Sequence, residues 1–364
     1  MTNIKGKKQN IYLNELMLLA ILLFNLSGFS FSNEYDNRPC YWKIGEIGNN
    51  FRYKQNDLFY CISGICCDSF NNIYVIDSGY NKIFKFDLTT KLIATFGNEG
   101  QAKDEFLGSP RLGKHLRLSI GNDNKLYIMD PGNKKILIYS CLGEYIDENK
   151  YENNFLIDTP TVNSKGEMYL LSKNGMKLID KYKSFHKYES SLFDFDYHIQ
   201  FPLEKPSFPA FYLRTPNDYE LIKLISKNDL LVVISNYSLK AFVFDERNKL
   251  IKEFNVGGET FKEDFKKRLN DQRSKLSSSS FILPFRAFID KDGNICIAYV
   301  KSDGKTTIMI YDINGRFLRE RLFCDGIKYG FITSNNRGDI ILSSDNNTKI
   351  EIYQLRNSLK EDKK

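Results

Sequence analysis

Histidine is scarce in this chain, and its scarcity limits the metal chemistry that the sequence can support. Only three of the 364 residues are histidines. His186 and His198 lie in one aromatic-rich segment, which leaves His115 by itself. No cysteine pair has C-x-x-C spacing, so a zinc site built from thiolates is not indicated either. From these absences we predict no metal site and no cofactor.

Sequence signatures of common catalytic machinery are also missing. The chain has no G-x-S-x-G nucleophile elbow, no phosphate-binding Walker loop and no dinucleotide fingerprint. Its charge is only mildly basic, with 52 Lys and Arg against 45 Asp and Glu. Basic and acidic residues are mixed along the chain, except that basic residues are concentrated at 262–275 and 360–364. A solvated helix face explains the first stretch and a frayed terminus the second. A nucleic-acid partner is therefore not expected.

The N-terminus has the three parts of a secretory signal. Three lysines lie within the first eight residues, an apolar run follows at 16–24, and small residues come next at Ser30-Phe31-Ser32. The apolar run is shorter than the roughly 20 residues of a comfortable membrane span. We predict that residues 1–32 are a signal peptide, and that the protein is exported to a periplasm, a cell envelope or the medium. A retained segment would instead associate the chain with a membrane.

What the sequence does contain is a repeat. Six times a turn leads into an apolar strand, and a second apolar strand follows about ten residues later. The copies are NNIYVIDSGYNKIFKFD (71–87), NKLYIMDPGNKKILIYS (124–140), GEMYLLSKNGMKLIDKY (166–182), DLLVVISNYSLKAFVFD (229–245), GNICIAYVKSDGKTTIMIYD (293–312) and GDIILSSDNNTKIEIYQ (338–354). A small sheet with an uncovered face must stack on its neighbours. We therefore predict an all-β fold, a six-bladed β-propeller.

The limits of the repeat define the expected domain. The propeller is predicted over 33–356, followed by a charged tail at 357–364. The last copy lacks a fourth strand, and Tyr41-Trp42-Lys43-Ile44-Gly45 has the pattern of an outer strand. We predict that this N-terminal strand pairs with 349–354 and completes the last blade, because closure leaves no unpaired edge at the seam.

The first repeats resemble the NHL-repeat propellers. The matching motifs are GICCD at 64–68, NIYVID at 72–77, NKI at 81–83 and IATFG at 93–97. The resemblance covers about residues 41 to 355, although blades three to six keep mostly the apolar skeleton. It implies a six-bladed propeller. Related propellers of the amidating-lyase and lactonase types hold a metal near the axis, and the lyase resemblance implies several histidines on different inner strands.

Two aligned positions of the inner strands predict a ligand site. The six repeats are aligned on one residue of each second strand, which we call its anchor: Ile73, Leu126, Met168, Leu230, Ile295 and Ile340. Nine residues before these anchors, two of the six copies have an arginine, Arg117 and Arg286. The position two residues earlier includes His115, Tyr219 and Tyr329. If both line the channel, two arginines with aromatic neighbours suit an anionic or carboxylate-bearing ligand. The alternative is that each arginine pairs with a carboxylate such as Asp158 or Glu220.

Two segments interrupt the repeat, at 183–218 and 257–284. The first is rich in aromatic residues and proline, and the second contains Phe261, Phe265 and Leu269 at the spacing of one helical face. Both segments are expected either to pack as a lid on the propeller or to rim the channel mouth and contact a ligand.

The seven cysteines are odd in number and irregular in spacing, so no disulfide framework is expected. Cys66, Cys67 and Cys296 fall in apolar strands and are expected to be small buried hydrophobes. One bridge, between Cys61 and Cys324, is left open, because each precedes the inner strand of neighbouring blades.

Taken together, these features predict an exported, monomeric binding or scaffold module with a protein, peptide or glycan partner. The alternative is a metal-dependent lyase or lactonase-type enzyme that uses the central channel. Calcium bound through oxygen ligands stays open in that alternative, because Asp158, Asp218 and Glu220 lie near inner-strand starts.

Overall fold

Short runs of β-branched and aromatic residues, each bounded by a turn, form the strands of this protein. The computed structural model describes residues 39–48, 58–151, 159–171, 177–184, 186–194, 221–235, 239–264, 267, 285–301, 305–323, 329–344 and 348–356. All of these except Pro39 belong to one unit, 40–356. The predicted signal segment 1–32 and the tail 357–364 lie outside the described residues.

The strands are numbered in chain order. Those of the first half are β1 (Cys40–Gly48), β2 (Ile62–Cys67), β3 (Ile73–Asp77), β4 (Lys82–Phe86), β5 (Leu92–Phe96), β6 (Asn98–Glu99), β7 (Glu105–Phe106), β8 (Arg117–Ile120), β9 (Lys125–Asp130), β10 (Lys135–Ser140), β11 (Tyr145–Lys150), β12 (Thr161–Val162) and β13 (Met168–Leu171). Those of the second half are β14 (Lys177–Ser184), β15 (Lys187–Asp194), β16 (Leu221–Ile225), β17 (Leu231–Ser235), β18 (Lys240–Phe244), β19 (Leu250–Asn255), β20 (Phe285–Ile289), β21 (Ile295–Val300), β22 (Thr306–Tyr311), β23 (Phe317–Phe323), β24 (Tyr329–Ser334), β25 (Ile340–Ser344) and β26 (Lys349–Arg356). A 3₁₀ turn covers Pro110–Leu112.

The predicted second strands are confirmed. Five of the six anchor residues begin or lie within β3, β9, β13, β21 and β25, and the sixth, Leu230, directly precedes β17. Consecutive strands pair antiparallel into four-stranded sheets, β2–β5, β8–β11, β12–β15 and β16–β19. A further sheet has eight strands in the order β20-β21-β22-β23-β1-β26-β25-β24. The fold is all-β with a propeller-like arrangement of these sheets.

The N-terminal strand pairs as the sequence predicts. β1 runs antiparallel to β26, with Trp42 opposite Gln354 and Ile47 opposite Ile350. The other edge of β1 meets β23 in a short parallel pairing, Cys40 with Leu322 and Tyr41 with Phe323. Because this contact joins two four-stranded groups into one sheet, the count of six blades stays a prediction.

The innermost strands contact each other in sequence, and the last returns to the first. These contacts run β2 to β8, β8 to β12, β12 to β16, β16 to β20, β20 to β24 and β24 to β2. β2 and β8 approach closely at a position without a side chain: a Cβ added to Gly64 would lie 3.1 Å from the backbone nitrogen of Leu118. The apolar core fills the spaces between adjacent sheets, as where Ile76 and Phe106 pack with Leu126 and Leu137.

The disulfide expectation needs correction. Cys61 is a free thiol, so a bridge between Cys61 and Cys324 is wrong. Cys40 is disulfide-bonded, whereas Cys66, Cys67, Cys141 and Cys296 are free. Cys324 lies outside the described residues. Cys66 and Cys296 are buried as expected, and Cys67 is half-buried.

The two predicted insertions have different outcomes in their described parts. The prediction starts the first insertion too early. β14 extends to Ser184, and residues 187–194 form β15, the outer strand of the third sheet. In the second, residues 259–264 are helical, and the ring of Phe261 packs edge-on against Tyr299 with centroids 4.7 Å apart. Phe265, Leu269 and the remainder of both segments lie outside the described side chains.

Candidate functional site

The innermost strands lie side by side. The Thr161 hydroxyl on β12 donates to the carbonyl oxygen of Lys223 on β16 at 3.4 Å. The Ser334 hydroxyl on β24 likewise donates to the carbonyl oxygen of Ile289 on β20 at 3.0 Å. Relative to the turn that follows each strand, Ser334 and Ile289 are at equivalent positions, whereas Thr161 and Lys223 differ by one. Neighbouring innermost strands are therefore bonded to each other at similar levels of the ring.

These strands surround a cavity of about 510 Å³. All six innermost strands contribute to its lining. The charged residues among the described lining are Arg117, Lys223, Lys227, Arg286, Lys291 and Asp290. Five of these six are basic, so the cavity favours a ligand with negative charge.

The two arginines predicted from register do line this cavity. Arg117 lies on β8 and Arg286 on β20, and both side chains are half-buried. The Nε of Arg286 donates to the carbonyl oxygen of Gly330 at 3.0 Å, which orients its guanidinium. The carboxylates considered as their alternative partners, Asp158 and Glu220, lie outside the described residues, so that alternative is untested.

His115 has a different environment from the arginines. It is half-buried, is not among the described residues that line the cavity, and places Nδ1 4.0 Å from the Sγ of Cys61. Burial, with a smaller effect of Arg117, lowers the pKa of His115. Burial and nearby Asp77 raise the pKa of Cys61 to about 11, so this pair does not form a thiolate nucleophile near neutral pH.

The two predicted tyrosines cannot be placed in the site. Tyr219 lies outside the described residues. Tyr329 begins β24, but its side chain is outside the described ones. Ligand binding by these residues therefore stays a prediction.

Sequence reasoning missed Lys223. It lies in the middle of β16, lines the cavity and is only 8% exposed. Burial lowers its pKa well below the ordinary value for lysine. The signal was its register, three residues before the residue that starts the following turn, where the other innermost segments have the uncharged residues Ile65, Leu118, Pro160, Ala287 and Ile332.

Turns that follow the innermost strands also line the cavity. The ammonium of Lys227 donates to the carbonyl oxygen of Lys291. The acidic lining residue, Asp290, is used by its own turn, where it accepts from the backbone N–H groups of Asp292 at 2.9 Å and Asn294 at 2.8 Å. Its charge is thus partly taken up by the turn, and the cavity keeps its basic character.

The described residues lack two features. In that part of the chain, no group of three or more His, Cys, Asp or Glu side chains could hold a metal ion. Its helices include none that is long and apolar enough to cross a bilayer.

Comparisons with known proteins support the fold more than a function. No protein-family model matches the chain. A solved structure from Bacteroides fragilis, described as a candidate exported protein, is 12% identical with a TM-score of 0.52, and the match covers 88% of this chain and 95% of that one. A streptogramin B lyase is 12% identical with a TM-score of 0.48, covering 87% and 98%. The WD40 propeller domain of Doa1 is 13% identical with a TM-score of 0.42, covering 82% and 79%.

One curated sequence is similar over a shorter stretch. Over 117 residues, or 30% of this chain, it is 30% identical to Protein SUPPRESSOR OF QUENCHING 1, chloroplastic, of Arabidopsis thaliana. The match spans 10% of the length of that relative.

Proposed function

We propose that this protein is an exported, six-bladed propeller of NHL type that binds an anionic group of a peptide or protein partner in its central cavity. The observation that carries this proposal is the cavity itself, whose described charged lining is basic at five of six positions. Charge-assisted hydrogen bonds to a carboxylate each contribute about 1.5–3 kcal/mol.

The ring of contacts between innermost strands supports the count of six blades. Six such strands contact in turn, and the last returns to the first. The eight-stranded sheet then consists of two blades, β20–β23 and β24–β26 with β1, joined through the short parallel contact. Closure through β1 gives the last blade its outer strand.

The disulfide at Cys40 supports export. Disulfides persist in oxidising compartments and are rare in reducing ones. The N-terminal lysines and apolar run favour the same destination. N-terminal sequencing of the exported protein tests the cleavage, which is expected after Ser32, and an intact N-terminus would instead favour a retained, membrane-associated segment.

Calorimetric titration tests the binding proposal. The probes are a set of short peptides with a free C-terminal carboxylate, the same peptides with an amidated C-terminus, and sialylated and neutral oligosaccharides. Peptide binding that requires the free carboxylate supports the proposal. Binding of the sialylated glycan alone would move the ligand to glycans, and no binding by any anion would contradict the proposal.

Substitutions locate the site. Arg117→Gln and Arg286→Gln are each expected to weaken carboxylate binding by about 10-fold to 100-fold, the equivalent of one charged hydrogen bond. Arg319→Gln is the matched control, because Arg319 is exposed on the outer strand β23. One metal ion bound per chain, measured by elemental analysis, would instead favour the lyase or lactonase alternative.

A further inference from the structure

We infer that Cys61 and His115 form a two-ligand site for a soft monovalent cation, Cu(I), where the segments that precede β2 and β8 meet. Neither residue is among the described residues that line the cavity. The inference therefore goes beyond the proposed function and does not depend on it. The sequence predicts no metal site here, because the two residues are 54 positions apart and follow no known ligand spacing.

The first support is the distance between the two donor atoms. Nδ1 of His115 lies 4.0 Å from Sγ of Cys61. One metal ion bonded to a thiolate and an imidazole holds these atoms about 4.3 Å apart in a straight line and about 3.6 Å apart at a tetrahedral angle. The observed separation lies between these two values, whereas it is long for a hydrogen bond. A shift of about 0.3 Å in either side chain reaches the straight geometry.

The second support is that one buried turn fixes the backbone at both residues. The carboxylate of Asp77 accepts from the backbone N–H of Cys61 at 2.9 Å, and the carbonyl oxygen of Cys61 accepts from the N–H of Ser78 at 2.9 Å. The hydroxyl of Ser78 accepts from the N–H of Leu116, the residue after His115, at 2.8 Å. Asp77 and Ser78 are both fully buried. Partners of this kind hold metal ligands in position before the ion arrives.

The third support is the number and type of the donors. Among the described residues, no group of three or more His, Cys, Asp or Glu side chains could hold a metal ion, so a four-coordinate zinc site does not fit at this pair. Thiolate sulfur is a soft ligand that favours Cu(I). A monovalent ion with a filled d shell is satisfied by two donors in a line, and one sulfur with one imidazole nitrogen meets that requirement.

The charge around the pair is compatible with such an ion. Burial, with a smaller effect of Arg117, lowers the pKa of His115, so the ring is in the neutral form that binds a metal. Burial and then the negative charge of Asp77 raise the pKa of the Cys61 thiol to about 11. The same carboxylate attracts a cation at this sulfur. Because a thiolate, a neutral imidazole and Cu(I) together have no net charge, the complex is not repelled by Arg117.

Binding of the ion is balanced without a change of oxidation state. The S–H bond of Cys61 breaks, its proton passes to the solvent, and an S–Cu bond forms. The lone pair of Nδ1 of His115 forms the second bond, which requires the tautomer with its proton on Nε2. The copper enters and stays as Cu(I).

The test is a competition titration of the purified protein with Cu(I). Bicinchoninate, which forms a coloured Cu(I) complex, is the competitor, and ascorbate under nitrogen keeps the copper monovalent. We expect one Cu(I) per chain to be withdrawn from the chelator, and X-ray absorption at the copper edge to show one sulfur and one nitrogen ligand. No withdrawal of copper, or copper bound by sulfur alone, overturns the inference.

Matched variants locate the two ligands. Cys61→Ser and His115→Gln should each weaken Cu(I) binding by at least about 100-fold, since loss of a mere outer-shell partner already costs about 10-fold to 100-fold. Cys141→Ser removes another half-buried free thiol and His186→Gln removes an exposed imidazole, so both should leave the affinity unchanged. An equal loss in either control would contradict the assignment.

Two further readouts keep the outcome unambiguous. X-ray absorption identifies the ligands in the unchanged chain, so the test holds even if a variant fails to fold. Elemental analysis separates copper at this pair from the calcium or zinc that the lyase or lactonase alternative requires.

Discussion

Two buried lysines in different regions of the molecule show what burial of a charge can mean. Lys135, on the third strand of the second sheet, is 1% exposed and donates to the carbonyl oxygens of Ala102 at 2.6 Å and Lys103 at 3.2 Å. It also pairs with Glu148 at 3.1 Å. Lys223, beside the central cavity, is 8% exposed, and burial lowers its pKa well below the ordinary value. The peripheral lysine connects a loop to its sheet, whereas the cavity lysine occupies a position that other strands fill without charge.

The largest expected effect is at the periphery. Lys135→Met removes the shared donor of two carbonyls and leaves Glu148 without its cation, so the free energy of unfolding should fall by about 3 kcal/mol. Urea denaturation followed by tryptophan fluorescence measures this change. A loss below about 0.5 kcal/mol would show that Lys135 is not structural and would remove the contrast.

A second peripheral lysine sharpens the comparison. Lys181 is 4% exposed and pairs with Glu167 and Glu189, both at 3.0 Å. Glu189 is more exposed to solvent, so part of the network is screened, and Lys181→Met should cost about 2 kcal/mol in the same denaturation experiment. A stabilised variant would contradict the structural role of this network.

For the lysine beside the cavity, the expected change in the free energy of unfolding has the opposite sign. Lys223→Met replaces a buried amine by an apolar side chain of similar volume, so the free energy of unfolding should rise by about 1 kcal/mol. The matched variant is Lys135→Met, which makes the same chemical change with the opposite expected sign. A fall in stability for Lys223→Met would mean that this lysine supports the fold.

The smallest expected effect is the pH dependence of the stability that Lys223→Met gains. Because the pKa of Lys223 is lower in the folded than in the unfolded protein, the unfolded state binds more protons between those two values. The stability of the unchanged protein should therefore rise with pH in this window, and the advantage of Lys223→Met should shrink as the pH approaches about 10. Denaturation of both proteins from neutral to alkaline pH gives the comparison. An advantage that stays constant over this range would indicate an unshifted pKa.

How far the sequence predicts this molecule depends on how strongly each element shows its pattern. The pairing of β1 with β26 was predictable, because the last repeat lacked an outer strand and Tyr41 to Gly45 had the pattern of one. The strand β15 was missed because an outer strand is largely exposed, so KYESSLFD has no clear apolar alternation.

In the candidate site, too, some residues could be predicted from the sequence and others could not. Arg117 and Arg286 were found because the innermost strands line the cavity and the repeat locates these strands in the sequence. The earlier register position was less successful, since His115 contacts Cys61 and is not among the described cavity residues. Lys223 was overlooked because a lysine inside a strand has no motif of its own. Its meaning depends on burial, which comes from packing between sheets.

The pairing of β1 with β26 also has a consequence for biogenesis. The first strand of the ring hydrogen-bonds to the last strand of the ring, so the ring cannot close until β26 has left the ribosome. Contacts between such distant parts of a chain form slowly, and open strand edges promote misassembly during the delay. A chain that crosses a membrane before folding postpones this step until both ends have arrived in the same compartment.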